Sequence, residues 1–302
     1  MTVARRETLS WPATPGRRVA SGPDVKYGAQ VRARGPAEMT FARLERDAWT
    51  DPGVAGAYAV LWSDFVAPSI EPLLEAAFVG AGEQVLDIAA GPGPVSRAVR
   101  HRKAEPVALD FSGAMLAGLD PTLRRLRADA AHLPIRDGRF HRAVSNLGLL
   151  HFPDPECAIR EAARVVRPGG TVAFSVWAPD AKALTIVPES LAALGAGPTS
   201  HGAPGFFRYA EPGTFEASMR GAGLLPLSTE RFAWDGPVRD AETFWRMFRE
   251  GSARTRASIL ALSSADRERL HHEVVQRADA FRAPSGLRVP TSVVIGRGRR
   301  AL

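Results

Sequence analysis

Short apolar runs alternate with amphipathic segments across residues 80–178 of the chain. Runs such as EQVLDIA and PVALDFS are too short for helices and predict buried strands, whereas DPECAIREAARVV has apolar residues at helical spacing. Strands that alternate with helices are typical of a parallel sheet covered by helices on both faces. The pattern therefore predicts an α/β fold.

Helical patterns also precede this region. TFARLERDAW has apolar residues at helical spacing, and the longer segment that follows it is broken near Pro68. In that segment Tyr58, Trp62 and Phe65 share one helical face. Such an aromatic stripe is typical of a core and less often of a lid over a binding site.

Beyond residue 178 the alternation loosens into a long stretch rich in Gly and Pro. Further helices and strands are still expected there, near 182–194, 240–250 and 264–282 for helices and at LPLSTERFAW and TSVVIGRG for strands. A chain that closes on a strand after several helices suits a sheet with one late, inserted strand.

The chain divides into an N-terminal arm and one domain. Residues 1–38 are rich in Pro and Gly, show no apolar period and predict a mobile arm or an irregular wrap. Residues 39–302 are expected to form a single domain. Three segments are expected to cap it: 40–78, 178–212 and 236–284.

The bulk composition is that of a globular protein, with 302 residues, 45% hydrophobic and 24% charged. No apolar run approaches the roughly 20 residues of a membrane-spanning helix, and no signal-peptide core is visible. We therefore expect a cytoplasmic protein without a membrane partner. The single cysteine, Cys157, excludes an internal disulfide and a thiolate metal site, and no other spacing suggests metal ligands.

The net charge of +7 is concentrated near the two ends of the sequence. Residues 1–38 and residues 288–302 each carry a net +4, which leaves the body between them at −1. An enzyme that acts on nucleic acid normally concentrates positive charge on its folded face. Nucleic acid is therefore not an expected partner, and solvated basic ends are the favoured interpretation.

The stretch VLDIAAGPGPVSRAV predicts a strand, a glycine turn and a helix, which is a common place for a nucleotide-type cofactor. Residues 91–96 miss the dinucleotide pattern G-x-G-x-x-G/A at the last position, and no Gly-Lys-Ser/Thr of a phosphate-binding loop is present. Asp87 beside the turn would repel a pyrophosphate. The turn therefore favours a ligand with a cationic group, such as an amino-acid ammonium.

Two further acids lie at the ends of the next predicted strands. Asp110 ends the strand VALD, where a carboxylate can accept both hydroxyls of a ribose. Asp129 follows the third strand and could accept from an adenine amino group, while the Ala130 amide donates to a ring nitrogen. An ammonium, a ribose and an adenine without phosphate describe S-adenosylmethionine.

Four stretches carry a resemblance to a known family and occur in the expected order: VLDIAAGPG, VALDFSGAML, RADAAHLPI and residues 140–177. They resemble the class I S-adenosylmethionine-dependent methyltransferases, in particular the ubiquinone/menaquinone-biosynthesis type and its small-molecule relatives. The resemblance implies a Rossmann-like sheet of seven mostly parallel strands in the order 3-2-1-4-5-7-6. Strand 7 is then antiparallel, and helices cover both faces of the sheet.

The resemblance also implies roles for particular residues. It assigns the cofactor site to Asp87, Ala89, Gly91 and Gly93 around the methionine, Asp110 at the ribose, Met115, Asp129 and Ala130 at the adenine, Asn146 and Leu147 beside the sulfonium, and Phe111. Met115 could equally be a core residue. Two positions depart from the family pattern, since Ala89 replaces the first glycine of the turn and His141 replaces an acid that opens the fourth strand.

Methyl transfer is an in-line displacement, so the protein must mainly align the nucleophile, the methyl carbon and the sulfur. A hydroxyl or acidic carbon as nucleophile also needs a base. His151, just after the fourth strand, is the first candidate, although it could instead satisfy the loop backbone. His201, in the Gly/Pro-rich segment, is the second candidate.

Aromatic residues in the predicted cap indicate an apolar pocket. We expect a medium-sized, fairly apolar organic substrate bound by Tyr58, Trp62, Phe65, Phe206, Phe207, Tyr209, Trp245 and Phe248. The excess of Arg over Lys indicates a GC-rich genome. By analogy with small-molecule relatives, O-methylation in natural-product biosynthesis is the leading hypothesis.

Two other functions stay open. The same scaffold could bind S-adenosylmethionine without transferring its methyl group and catalyse a cyclisation or rearrangement. Methylation of RNA or protein through the basic ends is less favoured, because the body of the chain carries no positive excess. A homodimer is compatible with the sequence, which does not fix the oligomeric state.

Overall fold

One mixed β-sheet organises the molecule. The structure is a computed structural model and describes residues 6–7 and 39–302. The predicted arm over residues 1–38 therefore lies outside the described residues, apart from its residues 6–7. The strands are β1 Arg6–Glu7, β2 Gln84–Ile88, β3 Glu105–Asp110, β4 Arg124–Arg127, β5 Phe140–Asn146, β6 Val166–Trp177, β7 Leu224–Val238, β8 Arg282–Ala283 and β9 Gly286–Arg300.

The strand order is β1-β7-β9-β6-β5-β2-β3-β4, and β8 forms a hairpin with the start of β9. Neighbours from β6 to β4 pair in parallel, whereas β9 is antiparallel to both β6 and β7. The predicted order of seven strands, with the last one antiparallel, is confirmed. The short strands β1 and β8 extend the sheet where no apolar alternation predicted a strand.

Helices cover both faces of the sheet. They are α1 Phe41–Thr50, α2 Pro52–Leu61, α3 Ser63–Val66, α4 Ile70–Ala76, α5 Pro94–His101, α6 Gly113–Ala117, α7 Pro155–Val165, α8 Lys182–Ala193, α9 Thr214–Gly221, α10 Ala241–Glu250, α11 Arg254–Ala261 and α12 Ser264–Asp279. The break near Pro68 is a short 3-10 turn over Ala67–Ser69. The sequence did not predict α11, because Ile259 is its one fully buried residue and it shows no apolar stripe.

Several helices begin at capping residues that the sequence supplies. Thr40 accepts the Arg43 N–H at the start of α1, and Asp51 accepts the Gly53 N–H at the start of α2. Asp154 accepts the Cys157 N–H at the start of α7. Short polar side chains favour the first position of a helix because they satisfy N–H groups that lack an intrahelical partner. Asp154, which precedes Pro155 in the sequence, therefore opens α7.

Strand β6 shows how the sheet separates two apolar layers. Val172 and Phe174 face a layer formed with α7 and α9, whereas Ala173 and Trp177 face a layer formed with α4, α8 and α10. Alternate side chains of a strand point to opposite faces, so a strand buried on both sides is apolar throughout. The helical layers on either side leave the carboxyl ends of the parallel strands as the place for a ligand.

The sequence Arg-Pro-Gly-Gly at residues 167–170 predicts a turn, but in the structure these residues belong to β6. The strand pairs Phe140 with Val166 and then Arg142 with Thr171, so the extra residues form a bulge. A bulge keeps the chain extended while it absorbs additional residues on one strand. The Pro-Gly-Gly sequence therefore marks an irregular strand here and not a reversal of the chain.

His141 takes over a structural role at the position where the family has an acid. Its Nδ1 lies 3.0 Å from the backbone nitrogen of Gln84 and accepts that N–H at the start of β2. Burial and the nearby Arg167 lower the pKa of His141, which keeps this ring neutral and able to accept. The acid is therefore replaced by another acceptor.

The basic C-terminal residues belong to the folded sheet. Arg297 and Arg300 lie in β9, where Arg300 donates to the carbonyl groups of Arg164 and Val166. The expectation of a solvated C-terminal end therefore holds for the exposed Arg288 and Arg299 and not for Arg297 and Arg300. Among the described residues, no helix combines the length and apolar character needed to cross a bilayer.

Candidate cofactor and substrate site

A cavity of 460 Å³ opens at the carboxyl ends of the parallel strands. Its volume falls within the roughly 300–1,000 Å³ of typical small-molecule sites. Helices α1 and α2 cover it, and the loops after β2 to β5 form its floor. Many of the predicted site residues line it, namely Tyr58, Ala89, Gly91, Asp110, Phe111, Met115, Asp129, Ala130, Asn146, Leu147 and His151.

The turn after β2 is built from left-handed residues. Ala89 has φ 57°, Gly91 has φ 54° and Gly93 has φ 82°. Glycine adopts this conformation without cost, whereas alanine is strained there. Gly93 lies outside the cavity and starts α5, so its role is to turn the chain into the helix. Ala89 and Gly91 bring the backbone itself to the cavity wall.

Asp110 is held by backbone N–H groups from two loops. Oδ2 accepts the Gly91 N–H and Oδ1 accepts the Ser112 N–H, both at 2.9 Å. Burial raises the pKa of Asp110, and the two N–H groups act in the opposite direction. Each carboxylate oxygen keeps a further acceptor site, so the group fits the two adjacent hydroxyls of a ribose.

Tyr58 lies near Asp110 in the roof of the cavity. Burial, assisted by the charge of Asp110, raises the pKa of the Tyr58 hydroxyl to about 12. A phenol with so high a pKa stays protonated near neutral pH. Tyr58 can therefore donate a hydrogen bond in the site, and it is excluded as the base.

Asp87 supports the turn and does not line the cavity. Its side chain is 1% exposed, and its Oδ2 accepts the Ser96 hydroxyl at 2.7 Å. Burial raises the pKa of Asp87 from 3.8 to about 7, although the hydrogen bonds from Ser96 oppose that rise. The contact that was expected between Asp87 and an ammonium group stays a prediction.

The third acid lies at the edge of the cavity. Asp129 is exposed, and its Oδ1 accepts the Ala131 N–H at 2.9 Å. That bond orients the carboxylate and leaves its other oxygen available at the cavity. The buried Ala130 beside it presents backbone to the same wall, as the adenine assignment requires.

Asn146 and Leu147 end β5 in a fixed arrangement. The Ser175 hydroxyl accepts the Leu147 N–H at 3.0 Å and donates to Oδ1 of Asn146 at 2.6 Å. Because Oδ1 is occupied, the amide NH₂ of Asn146 is the group available to the cavity. Leu147 has φ 60°, a conformation that costs a residue with a side chain about 1–3 kcal/mol and often marks a functional site.

His151 stands on a 3-10 turn just after β5 and contacts a buried carboxylate. Its Nδ1 lies 2.8 Å from Oε2 of Glu45, whose side chain is 3% exposed. The indole nitrogen of Trp49 donates to the same oxygen at 2.7 Å, and Nε of Arg254 lies 3.4 Å from Oε1. The bond at Nδ1 leaves Nε2 as the ring nitrogen available for chemistry.

A second cavity of 70 Å³ lies next to the first and shares Tyr58, Leu147 and His151 with it. Trp62, Phe206 and Phe248 from the predicted substrate set line this smaller cavity, together with Trp177. His151 therefore lies in the wall between the cavity that contains Asp110 and an aromatic one.

The structure does not bring the other predicted residues to either cavity. Phe65 is 1% exposed in the core, the Tyr209 hydroxyl donates to Glu156, and Trp245 packs on His271. Phe207 packs edge-on against Phe206. His201 is exposed, and its backbone, not its ring, bonds to the backbone of Met39 and of Phe41 at the start of α1.

Sequence reasoning missed Glu45 and Arg254. Glu45 is four residues before Trp49 and four after Phe41, so a carboxylate on the buried face of α1 was a usable signal. Arg254 begins the unpredicted α11 and gave no such signal. Among the described residues, no cluster of three or more His, Cys, Asp or Glu side chains could hold a metal ion.

Comparisons with known proteins agree with this geometry. Residues 86–174 match the family described as a methyltransferase domain. An uncharacterized protein of Mycobacterium tuberculosis is 33% identical over 147 residues, which cover 46% of this chain and 52% of that protein. Demethylmenaquinone methyltransferase of Mycolicibacterium paratuberculosis is 36% identical over 107 residues, which cover 35% and 46% respectively. The chain thus spans about half the length of the curated relatives it matches.

A likeness to solved structures concerns the fold. The cyclase SpnF has a TM-score of 0.53 to this chain at 18% identity, and the match covers 88% of this chain and 98% of that one. The sheet order, and the match of residues 86–174 to a methyltransferase domain, resemble those of the class I S-adenosylmethionine-dependent methyltransferases. S-adenosylmethionine is the cofactor of this family, and the glycine turn with Asp110 fits its adenosyl part.

We expect Asp87→Asn to remove a pH dependence of the free energy of unfolding. With a pKa of about 7 in the folded chain and 3.8 unfolded, Asp87 binds more protons when folded between those values. Its contribution is therefore fully present below about pH 4 and is lost as pH rises through about 7. Urea unfolding of the cofactor-free chain at several pH values checks this. If the free energy of unfolding differs between wild type and variant by the same amount at every pH from about 4 to about 7, the prediction is wrong.

We expect Ala89 and Gly148 to be coupled sterically. A Cβ on Gly148 would lie 2.4 Å from Oγ of Ser145 and 3.0 Å from Cβ of Ala89, so Gly148→Ala should destabilise the fold. Ala89→Gly relieves the left-handed strain and should gain about 1 kcal/mol. In the double variant the Gly148→Ala cost should be smaller than in wild type, as measured by denaturant unfolding. Equal costs in both backgrounds would show no coupling.

Proposed function

We propose that this protein transfers a methyl group from S-adenosylmethionine to an oxygen atom of a small, fairly apolar organic substrate. The observation that carries the proposal is the position of His151. Its ring lines both the cavity that has the family's cofactor residues and the aromatic cavity beside it. A base at that boundary can take a proton from a substrate that reaches from one cavity toward the other.

The residues of the larger cavity fit the cofactor. Asp110, fixed by two backbone N–H groups, would hold the ribose hydroxyls, and Asp129 with Ala130 would hold the adenine. The turn at Ala89 and Gly91 brings backbone close to the methionine part. When bound, S-adenosylmethionine supplies a methyl group that its positive sulfur has already activated.

The remaining chemistry belongs to this chain's own residues. Asn146 offers an amide NH₂ to an acceptor atom in the cavity, and Tyr58 offers a hydroxyl donor. His151 would accept the substrate proton at Nε2. Donors of fixed orientation hold the nucleophile in line, which supplies most of the rate that an in-line displacement needs.

The smaller cavity supports an apolar substrate. Trp62, Trp177, Phe206 and Phe248 surround it, and such walls bind apolar ring systems with few directional contacts. Its 70 Å³ holds only part of a medium-sized molecule, so we propose that the acceptor extends from it toward the cofactor cavity. We place this activity in natural-product biosynthesis in the cytoplasm, by analogy with small-molecule relatives.

The proposed activity is tested by incubating the purified chain with S-adenosylmethionine and a panel of phenolic and enolic acceptors. We expect release of S-adenosylhomocysteine and a product heavier by one methylene unit. A product of unchanged mass would instead support a cyclisation or rearrangement. Activity on RNA or protein with a steep loss at higher salt would support the basic-end alternative.

We expect His151→Ala to lower kcat by about 100-fold or more, the contribution of a positioned base. Its affinity for S-adenosylhomocysteine should stay near that of wild type, because Asp110 and the glycine turn are intact. His201→Ala replaces the exposed second candidate and should retain turnover. Steady-state kinetics and calorimetric titration make the comparison, and an active His151→Ala enzyme would remove His151 from the mechanism.

A further inference from the structure

We propose that Glu45 is a positioning residue that orients the His151 ring and stabilises its protonated form during methyl transfer. The inference rests on the proposed function, since it assigns a second residue to the same base. Glu45 lies on α1, outside the stretches that resemble the family. Its role is inferred from the contacts that its carboxylate makes with His151, Trp49 and Arg254.

The contact between Glu45 and His151 is short and shielded from water. Oε2 of Glu45 lies 2.8 Å from Nδ1 of His151, and 3% of the Glu45 side chain is exposed. A hydrogen bond to an ionised group is roughly twice as strong as one between neutral groups. Burial strengthens it further, because little water competes for the partners. The bond is therefore able to fix the ring plane.

The donors around Glu45 define which nitrogen of His151 carries the proton. Oε2 of the carboxylate also accepts the indole N–H of Trp49 at 2.7 Å, and an indole nitrogen can only donate. An ionised carboxylate can only accept, and the neighbouring Arg254 favours that form, so Nδ1 of His151 is the donor in the bond they share. A neutral ring protonated at Nδ1 has its lone pair on Nε2, the atom that a general base needs.

Arg254 holds both partners in place. Its Nε lies 3.4 Å from Oε1 of Glu45, and its Nη2 donates to the carbonyl of Leu150, the neighbour of His151. The guanidinium also lies over the Phe41 ring at 4.2 Å from the ring centre. One largely buried cation thus ties the carboxylate and the His151 turn together, and it offsets the cost of burying the Glu45 charge.

The proton and electron balance of the step is simple. The acceptor hydroxyl gives its proton to Nε2 of His151 while its oxygen bonds to the methyl carbon, and the sulfur keeps the electron pair of the bond that breaks. The ring becomes an imidazolium that donates from Nδ1 to the Glu45 carboxylate. The carboxylate stabilises this charge without taking the proton itself, and water removes the proton from Nε2 after the product leaves.

The first test is Glu45→Gln, which keeps the size of the side chain and removes its charge. We expect kcat to fall by about 10-fold or more, part of the contribution of a positioned base, while affinity for S-adenosylhomocysteine stays near wild type. In a His151→Ala background the same substitution should cost no further turnover, because Glu45 acts through the ring. Equal costs with and without His151, or loss of S-adenosylhomocysteine binding, would overturn the proposal.

The second test needs no turnover and therefore separates this inference from the proposed function. Nitrogen-15 NMR of histidine-labelled protein should show His151 protonated at Nδ1, with a downfield proton that identifies the bond to the carboxylate. In Glu45→Gln that proton should move upfield, because the charge-assisted bond is lost. A ring protonated at Nε2 in wild type, or an unmoved proton in the variant, would overturn the assignment even if methyl transfer is found.

The chain offers a matched control. Glu242 contacts Nε2 of His271 at 2.7 Å, a carboxylate–histidine pair at the surface and away from both cavities. Glu242→Gln should change the His271 resonances and leave both the His151 resonances and kcat unchanged. Thermal unfolding of Glu45→Gln confirms that the variant is folded before kinetics are compared. A kcat loss in Glu242→Gln equal to that in Glu45→Gln would assign both losses to general destabilisation and overturn the proposal.

Discussion

A single buried carboxylate organises the cofactor cavity. Asp110 receives one N–H from the turn after β2 and another from the loop after its own strand, so it fixes two loops against each other. Removing such a group would leave buried N–H donors unpaired, which costs more than the bonds themselves contribute. The left-handed turn and the start of α6 are both tied to this carboxylate, and its charge adds to the burial that raises the pKa of Tyr58 in the roof.

The wall between the two cavities is built from elements that lie far apart in the chain. His151 and its partner Glu45 meet across the boundary between the sheet and the cover helix, and Arg254 reaches them from α11. Helix α1 is also held at its start, where the Phe41 N–H donates to the His201 carbonyl. The larger cavity, the aromatic cavity and His151 are therefore parts of one connected surface, and a change in α1 reaches His151 through Glu45.

The sheet order and the meeting of residues such as Asp110 at one cavity could be predicted because their determinants are local. Parallel strands end at one edge of a sheet, so acids such as Asp110 that follow apolar runs are brought together by the topology alone. The contacts of the helices that lie over the strand ends could not be predicted in this way. A helical period shows that Phe65 and Trp245 are buried but not against what, and no local rule pairs Glu45 with a histidine more than a hundred positions away.

The close approach of the Ala89 methyl group to Gly148 has a consequence for how these two positions can diverge in sequence. The methyl group of Ala89 occupies space that a side chain at position 148 would need. Lineages that keep alanine in the turn should therefore keep glycine after β5, whereas lineages with glycine in the turn lose one of the contacts that exclude a side chain there and retain the one with Ser145. Positions 89 and 148 are therefore expected to vary together more than either varies alone, which links the turn after β2 to the loop that carries His151.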